Sequence, residues 1–209
     1  MGSTLAQLRA ALREELRDQD PANRRWSDAA LDRHLRQALH LVEEAEPGFA
    51  SFSKTVPTPS TRRIDLSADL PPTFLWVDAV EYPSDRVPQR FRPFREEGGG
   101  RLYLLIDELP PAGEAITVWY AHGYTVTEAG SDLPAELEHT VLAGALAGAL
   151  TGRGIETTEK LVPSQTPASY RRLGDEAWGR FERALRALHG RRGRPRWGIS
   201  WDGAGPCTR

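Results

Sequence analysis

The sequence predicts an α+β protein, mainly α: an antiparallel helix bundle with a β-rich insertion and an extended C-terminal tail. Three observations predict it. Leu133 to Thr151 is apolar nearly all round from Val141 to Leu150, and a helix with no polar face is one that other elements cover. Stretches with amphipathic helical spacing flank it at both ends of the chain. From Phe49 the period changes from helical to alternating, in short runs divided by proline and glycine clusters, as in antiparallel strands. The resulting division is a helical bundle from 1–48 and 128–189, a β-rich insertion at 49–127 and a docking tail at 190–209.

The chain opens with Thr4-x-x-Gln7, a capping box, followed by Leu5, Leu8, Leu12 and Leu16 on one helical stripe. Arg9, Arg13, Glu14, Glu15 and Arg17 are expected to cover the solvated remainder. Pro21 and its polar neighbours break this helix. The second begins at RWSDAAL: Ser27 is the N-cap, Asp28 sits in the first turn, and Trp26 is placed to fold back on Leu31 as a hydrophobic staple. Leu31, Leu35, Ala38, Leu39 and Val42 form its buried stripe, and Pro47-Gly48 ends it.

Strands are expected at Phe52–Val56, Arg62–Leu66, Leu75–Tyr82, Arg90–Phe94, Leu102–Ile106 and Ala115–Tyr120, as an antiparallel sheet or small barrel. Trp76, Val80 and Tyr82 fall on one side of theirs. Pro88 to Arg101, with Gly98-Gly99-Gly100 at its tip, reads as a projecting hairpin arm.

Pro134 suits the first position of the central helix and Glu136 its first turn. Gly152 and Gly154 suit its exit. Ala143, Gly144, Ala147 and Gly148 leave a flat surface for close packing. The apolar part is about ten residues, against the roughly twenty a membrane span needs. Arg153 to Gln165 reads as a polar connector. Thr166-Pro167 starts the last helix, with Tyr170, Leu173, Ala177, Phe181, Leu185 and Leu188 inward and Gly190 as its stop.

The 209 residues allow one large domain or two small ones. A net charge of −2 gives the whole molecule no strong pull toward nucleic acid or membrane. The single cysteine, Cys207, excludes a disulfide framework and a cysteine-based zinc site. The N-terminus lacks the apolar run of a secretion signal, so an intracellular, soluble protein is expected.

Signatures of catalysis are missing. His34, His40, His122, His139 and His189 show no metal-binding pair on one helix face. There is no phosphate loop, Gly-x-Ser-x-Gly elbow or Cys/His pair. Glu14-Glu15, Glu43-Glu44 and Glu96-Glu97 read as solvated charge. No enzyme activity, cofactor or metal is expected.

Two features exceed a plain structural reading. In the tail, Arg191, Arg192, Arg194 and Arg196 precede Trp197, Ile199 and Trp201. Tryptophan and arginine are interface residues, and on a flexible arm they can also stack on bases and pair with phosphates. The insertion carries Trp76, Phe91, Phe94, Trp119 and Tyr120, more aromatic surface than a small sheet requires. These five are candidates for an interface between copies.

RWSDAALDRHLRQAL, preceded by a leucine-striped helix and Asp18-x-Asp20-Pro21, resembles the head–tail connector, or adaptor, proteins of long-tailed bacteriophages. So do the strands VDAVEYP and ITVWYAHGY, the helix SDLPAELEHTVLAGALAGAL and a final amphipathic helix. The resemblance covers roughly residues 4 to 188 and leaves the RRGRPRWGISW tail unmatched. It implies a homo-oligomeric ring, twelve copies matching the portal, docked beneath the portal protein after DNA packaging. Such a ring extends the DNA channel, touches DNA only transiently and without sequence preference, and presents a platform to the tail or a further connector. It implies a place in the virion, with host cytoplasm as the site of assembly. The alternative is a nucleic-acid-binding module using the arginine/tryptophan tail. The near-neutral charge argues against it, since such modules normally carry a basic face.

Overall fold

The computed structural model describes residues 2–159 and 167–192, and its elements follow the predicted order of helices, strands, helices. They are α1 (Leu5–Leu16), α2 (Asp28–Ala45), β1 (Gly48–Thr55), β2 (Arg63–Asp65), β3 (Phe74–Glu81), β4 (Phe94–Gly98), β5 (Arg101–Leu104), β6 (Ala115–His122), α3 (Ala135–Glu159) and α4 (Pro167–Arg192).

Both predicted helix starts form. Thr4 and Gln7 close a reciprocal capping box on α1, and the Ser27 side chain accepts the Ala30 N–H at the start of α2. Trp26 is more than a staple. It is buried in the helical core, and its indole N–H donates to the Ala149 carbonyl of α3 at 3.3 Å.

α3 touches all three other helices, most extensively α4. One buried apolar cluster joins Leu8 and Leu12 of α1, Leu31 and Val42 of α2, Val141 and Ala145 of α3 and Phe181 of α4. The small residues serve this packing. A Cβ on Gly144 would stand 2.7 Å from the Phe181 ring and 2.8 Å from the Ala38 Cβ, and one on Gly174 would stand 3.2 Å from the Thr151 backbone nitrogen. The flat face is therefore filled from within the chain. On the far side of α3, Leu142, Leu146 and Leu150 are only partly buried.

Three helical expectations need correction. α3 runs through Gly152 and Gly154 to Glu159, so the connector is shorter than predicted. Gly154 is buried, with space for a Cβ only 3.3 Å from the Arg171 side chain of α4, and such close packing outweighs the roughly 1 kcal/mol cost of a mid-helix glycine. α4 likewise continues through Gly190 to Arg192. Leu173, expected inward, is 41% exposed.

The insertion forms two three-stranded antiparallel sheets, in the orders β1-β6-β3 and β2-β5-β4. They share a second core: Val77, Val80, Ile116 and Val118 from one sheet meet Ile64, Leu102 and Leu104 from the other. Bulges at Leu75 and Asp78 break the alternation of β3. Val77, Val80 and Tyr82 therefore reach the core together while Trp76 does not, which corrects the expected shared face of Trp76, Val80 and Tyr82.

The predicted strand Arg90–Phe94 is displaced to Phe94–Gly98, because Pro93 has no N–H to give a ladder. Residues 90–92 lie along β3 instead: the Tyr82 N–H donates to the Arg90 carbonyl at 2.9 Å and the Arg92 N–H to that of Val80 at 2.8 Å. The arm is thus docked, and only its glycine tip projects. Gly98, Gly99 and Gly100 all hold positive φ there, which glycine adopts without a steric penalty.

Helices and sheets meet at Glu43. Its carboxylate accepts the Tyr124 N–H at 2.7 Å, and the Tyr124 hydroxyl donates to the Glu46 carbonyl at 3.0 Å. Burial raises the Glu43 pKa above its ordinary value, so this acid belongs to the joint and not to solvated charge.

Candidate functional site

The five aromatics singled out in the insertion do not form one patch. Tyr120 lies on the core side of β6, with its ring centroid 5.7 Å from that of Phe52 and 6.2 Å from that of Phe74. Phe94 pairs with the fully buried Leu104 and packs on the same core. Trp76 and Trp119 share the opposite face of that sheet. Trp76 stands across from Ala121, Trp119 stands across from Ala79 and Ser51, and directly opposed residues share a face. Both tryptophans are partly buried. Phe91 sits at the β3 edge, bridged to Glu81.

Arg191 and Arg192 form the last positions of α4. Arg194, Arg196, Trp197, Ile199 and Trp201 lie outside the described residues.

Sequence reasoning missed a groove between the helices. The end of α1, the start of α2, the middle of α3 and the start of α4 leave an open trough of about 830 Å³. Leu16, Trp26, Leu146, Leu150, Tyr170 and Leu173 make it apolar, and Ser169, Glu15, Arg17, Arg25 and Arg180 complete its lining. The three arginines are exposed. Arg25 donates to the Tyr170 hydroxyl at 3.2 Å. None of the three meets a carboxylate within salt-bridge distance among the described residues. The groove's sequence signal was Leu146 and Leu150 at helical spacing on a helix whose other side was already filled.

Two arginines read as surface cover are instead structural hubs. Arg13 is buried and donates to Asp18 at 2.6 Å, to the Trp26 carbonyl at 3.1 Å and to Asp28 at 2.6 Å. Asp18 also accepts the Arg25 N–H at 2.7 Å, so this cluster fixes the α1–α2 turn beside the groove. The Arg13 guanidinium holds the Asp28 carboxyl below its ordinary pKa. Arg9 bridges Asp32 at 2.7 Å and Glu128, and both partners raise its pKa further, the Asp32 hydrogen bond most.

A second, smaller trough of about 360 Å³ lies over His34, Gly148 and Trp178. Burial, then Arg33, lowers the His34 pKa below its ordinary 6.5. Among the described residues no group of three histidine, cysteine or acidic side chains could hold a metal ion. No described helix is long and apolar enough to cross a membrane.

No protein-family model matches the chain, and no curated protein matches it. Solved structures do. One is described as the neck of an empty GTA particle computed with C6 symmetry. It is 20% identical, with 66% of this chain and 74% of that chain covered and a TM-score of 0.29. Another is described as the neck of a native GTA particle computed with C12 symmetry. It is 18% identical, with 80% of this chain and 86% of that chain covered and a TM-score of 0.26.

Proposed function

We propose that this chain is a structural subunit of a phage-type neck: a head–tail connector that forms a ring beneath the portal, extends the DNA channel and offers the tail a platform. Its role is assembly, not catalysis. One observation carries the reading. The stretches that resemble the connector family fold against one another, with the Ser27-capped α2 on the α3 that opens at LPAEL and the VDAVEYP strand β3 beside the ITVWYAHGY strand β6. The near-neutral charge suits a channel wall along which DNA slides without being held.

On this reading the ring follows the portal in copy number, at twelve. Trp76, Trp119 and Phe91 serve contacts between neighbours, and the tail from Arg191 onward docks on the portal through Trp197 and Trp201. The seventeen residues after Arg192 can span at most about 56 Å at roughly 3.3 Å each.

The test is electron microscopy of the purified protein mixed with DNA-filled, portal-bearing heads. A ring stacked on the portal is expected. A chain ending at Arg192, or one carrying Trp197→Ala and Trp201→Ala, should stay folded and fail to join the heads. Tight, sequence-specific duplex binding at physiological salt, with no ring on any portal, would replace this reading with a nucleic-acid-binding module.

A further inference from the structure

Five large apolar side chains stand exposed among the described residues: Val87, Leu105, Leu109, Leu173 and Trp178. Three of them belong to two features whose charges are opposite. Leu173 lies in the groove bordered by Arg17, Arg25 and Arg180. Leu105 and Leu109, 49% and 57% exposed, flank Asp107 and Glu108 on the loop between β5 and β6.

Among the described residues neither set of charges is neutralised by an ion pair. Asp107 and Glu108 form no salt bridge among the described residues, and neither do the three arginines. At the groove, Glu15 offsets one arginine and leaves two positive charges, against two negative ones on the loop.

The loop is also held in shape. The Leu105 N–H donates to the Pro93 carbonyl at 2.9 Å, Arg62 donates to the Asp107 carbonyl, and the Ser60 hydroxyl donates to the Pro110 carbonyl. A loop already fixed loses little conformational entropy on docking.

We infer that the acidic loop Leu105–Leu109 of one copy seats in the arginine-bordered groove of the next. Leu105 and Leu109 cover Leu146, Leu150 and Leu173, while Asp107 and Glu108 meet the arginines. Loop and groove are different surfaces, so the contact is heterologous: repeated head to tail, it closes into a ring where the rotation permits. The inference deepens the connector reading by naming the contact between its subunits, and in that sense rests on it.

Charge reversal tests it by sedimentation of the full chain. The loop variant Asp107→Arg/Glu108→Arg and the groove variant Arg17→Glu/Arg180→Glu should each weaken self-association roughly a hundredfold. All the substituted side chains are exposed, and a melting curve of each variant checks that it folds. An equimolar mixture of the two should regain the wild-type size, because every contact between unlike copies pairs opposite charges. A chain carrying all four substitutions should regain it alone. Association of the wild type should weaken with salt.

A loop variant that assembles like the wild type overturns the contact, as does a mixture that fails to recover. So does a wild type that stays monomeric at its highest soluble concentration. Rings that join portals while every variant assembles normally would sink the contact and leave the connector reading standing. Recovery in the mixture with no ring on any portal would do the reverse.

Discussion

Replacing Arg13 with alanine removes the cation from a nearly closed acid cluster. The Asp18 side chain is 1% exposed and keeps two backbone donors, the Arg25 N–H at 2.7 Å and the Trp26 N–H at 3.4 Å. It loses its only counter-ion among the described residues, at 2.6 Å. Breaking a buried pair by deleting one partner costs about 3–5 kcal/mol, and the retained donors place this case near the lower end. The Asp28 contact adds little, because that side chain is 51% exposed and such pairs contribute about 1 kcal/mol or less. A loss of about 3 kcal/mol is a large share of a typical 5–15 kcal/mol stability. It corresponds to a fall in Tm of roughly 6–12 °C for a chain of this size. Urea titration and thermal melting should find Arg13→Ala well below Asp28→Ala, with Asp18→Asn recovering part of the loss in the Arg13→Ala background. An Arg13→Ala protein within about 1 kcal/mol of its parent would refute the buried-hub account.

The two helix-packing glycines should respond unequally. Gly144→Ala meets ring and methyl carbons at 2.7–2.8 Å and should cost about 1–3 kcal/mol, whereas Gly148→Ala meets the partly buried His34 imidazole at 2.9 Å, which can swing aside, and should cost little in chemical denaturation. His34 should set a pH dependence: its folded pKa lies below 6.5, so the unfolded chain binds the proton first and stability falls as pH drops below 6.5 until the folded value is passed; His34→Gln should flatten that limb in urea melts. Deleting 88–101 should strip β4 from β5 and uncover Leu104, lowering the stability of the sheet core while the helical dichroism signal persists; an unchanged melt would mean that the arm is detached after all.

The helix starts were legible because capping is local. Thr4-x-x-Gln7 and Trp26-Ser27 specify a geometry within four residues, and both form as read. The ends of α1 and α2 were legible too, but the glycine-marked end of α3 was not, because a glycine marks an exit only where nothing packs on it. At Gly154, α4 approaches closely enough that the helix continues. The same distinction separates the leucines of α1 from Arg13. A stripe of Leu5, Leu8, Leu12 and Leu16 declares its own burial, whereas Arg13 is buried only because the α1–α2 turn brings Asp18, Trp26 and Asp28 to it. On β3, a bulge at Asp78 that no residue pattern announced reversed the phase and parted Trp76 from Val80.

The surfaces divide along the same line. The aromatics of the insertion were visible as residues, but which side each faces depends on register, and register sends Tyr120 and Phe94 to the core while Trp76 and Trp119 share the other face. The groove was invisible for a deeper reason. Its arginines come from positions 17, 25 and 180, separate stretches whose charge is ordinary in sequence and becomes distinctive only around a shared apolar floor. The loop that we infer to fill it was half visible. Leu102 and Leu104 are buried within β5, but Leu105 follows Leu104 out of alternation, and the strand that the sequence extends to Ile106 ends at Leu104. Leu105 and Leu109, exposed on either side of Asp107 and Glu108, belong to neither core of their own chain. The arginine border around the leucine floor likewise meets no carboxylate among the described residues. Exposed apolar patches in soluble proteins mark interaction sites, and two such patches of opposite charge on one chain require no second kind of protein to satisfy both.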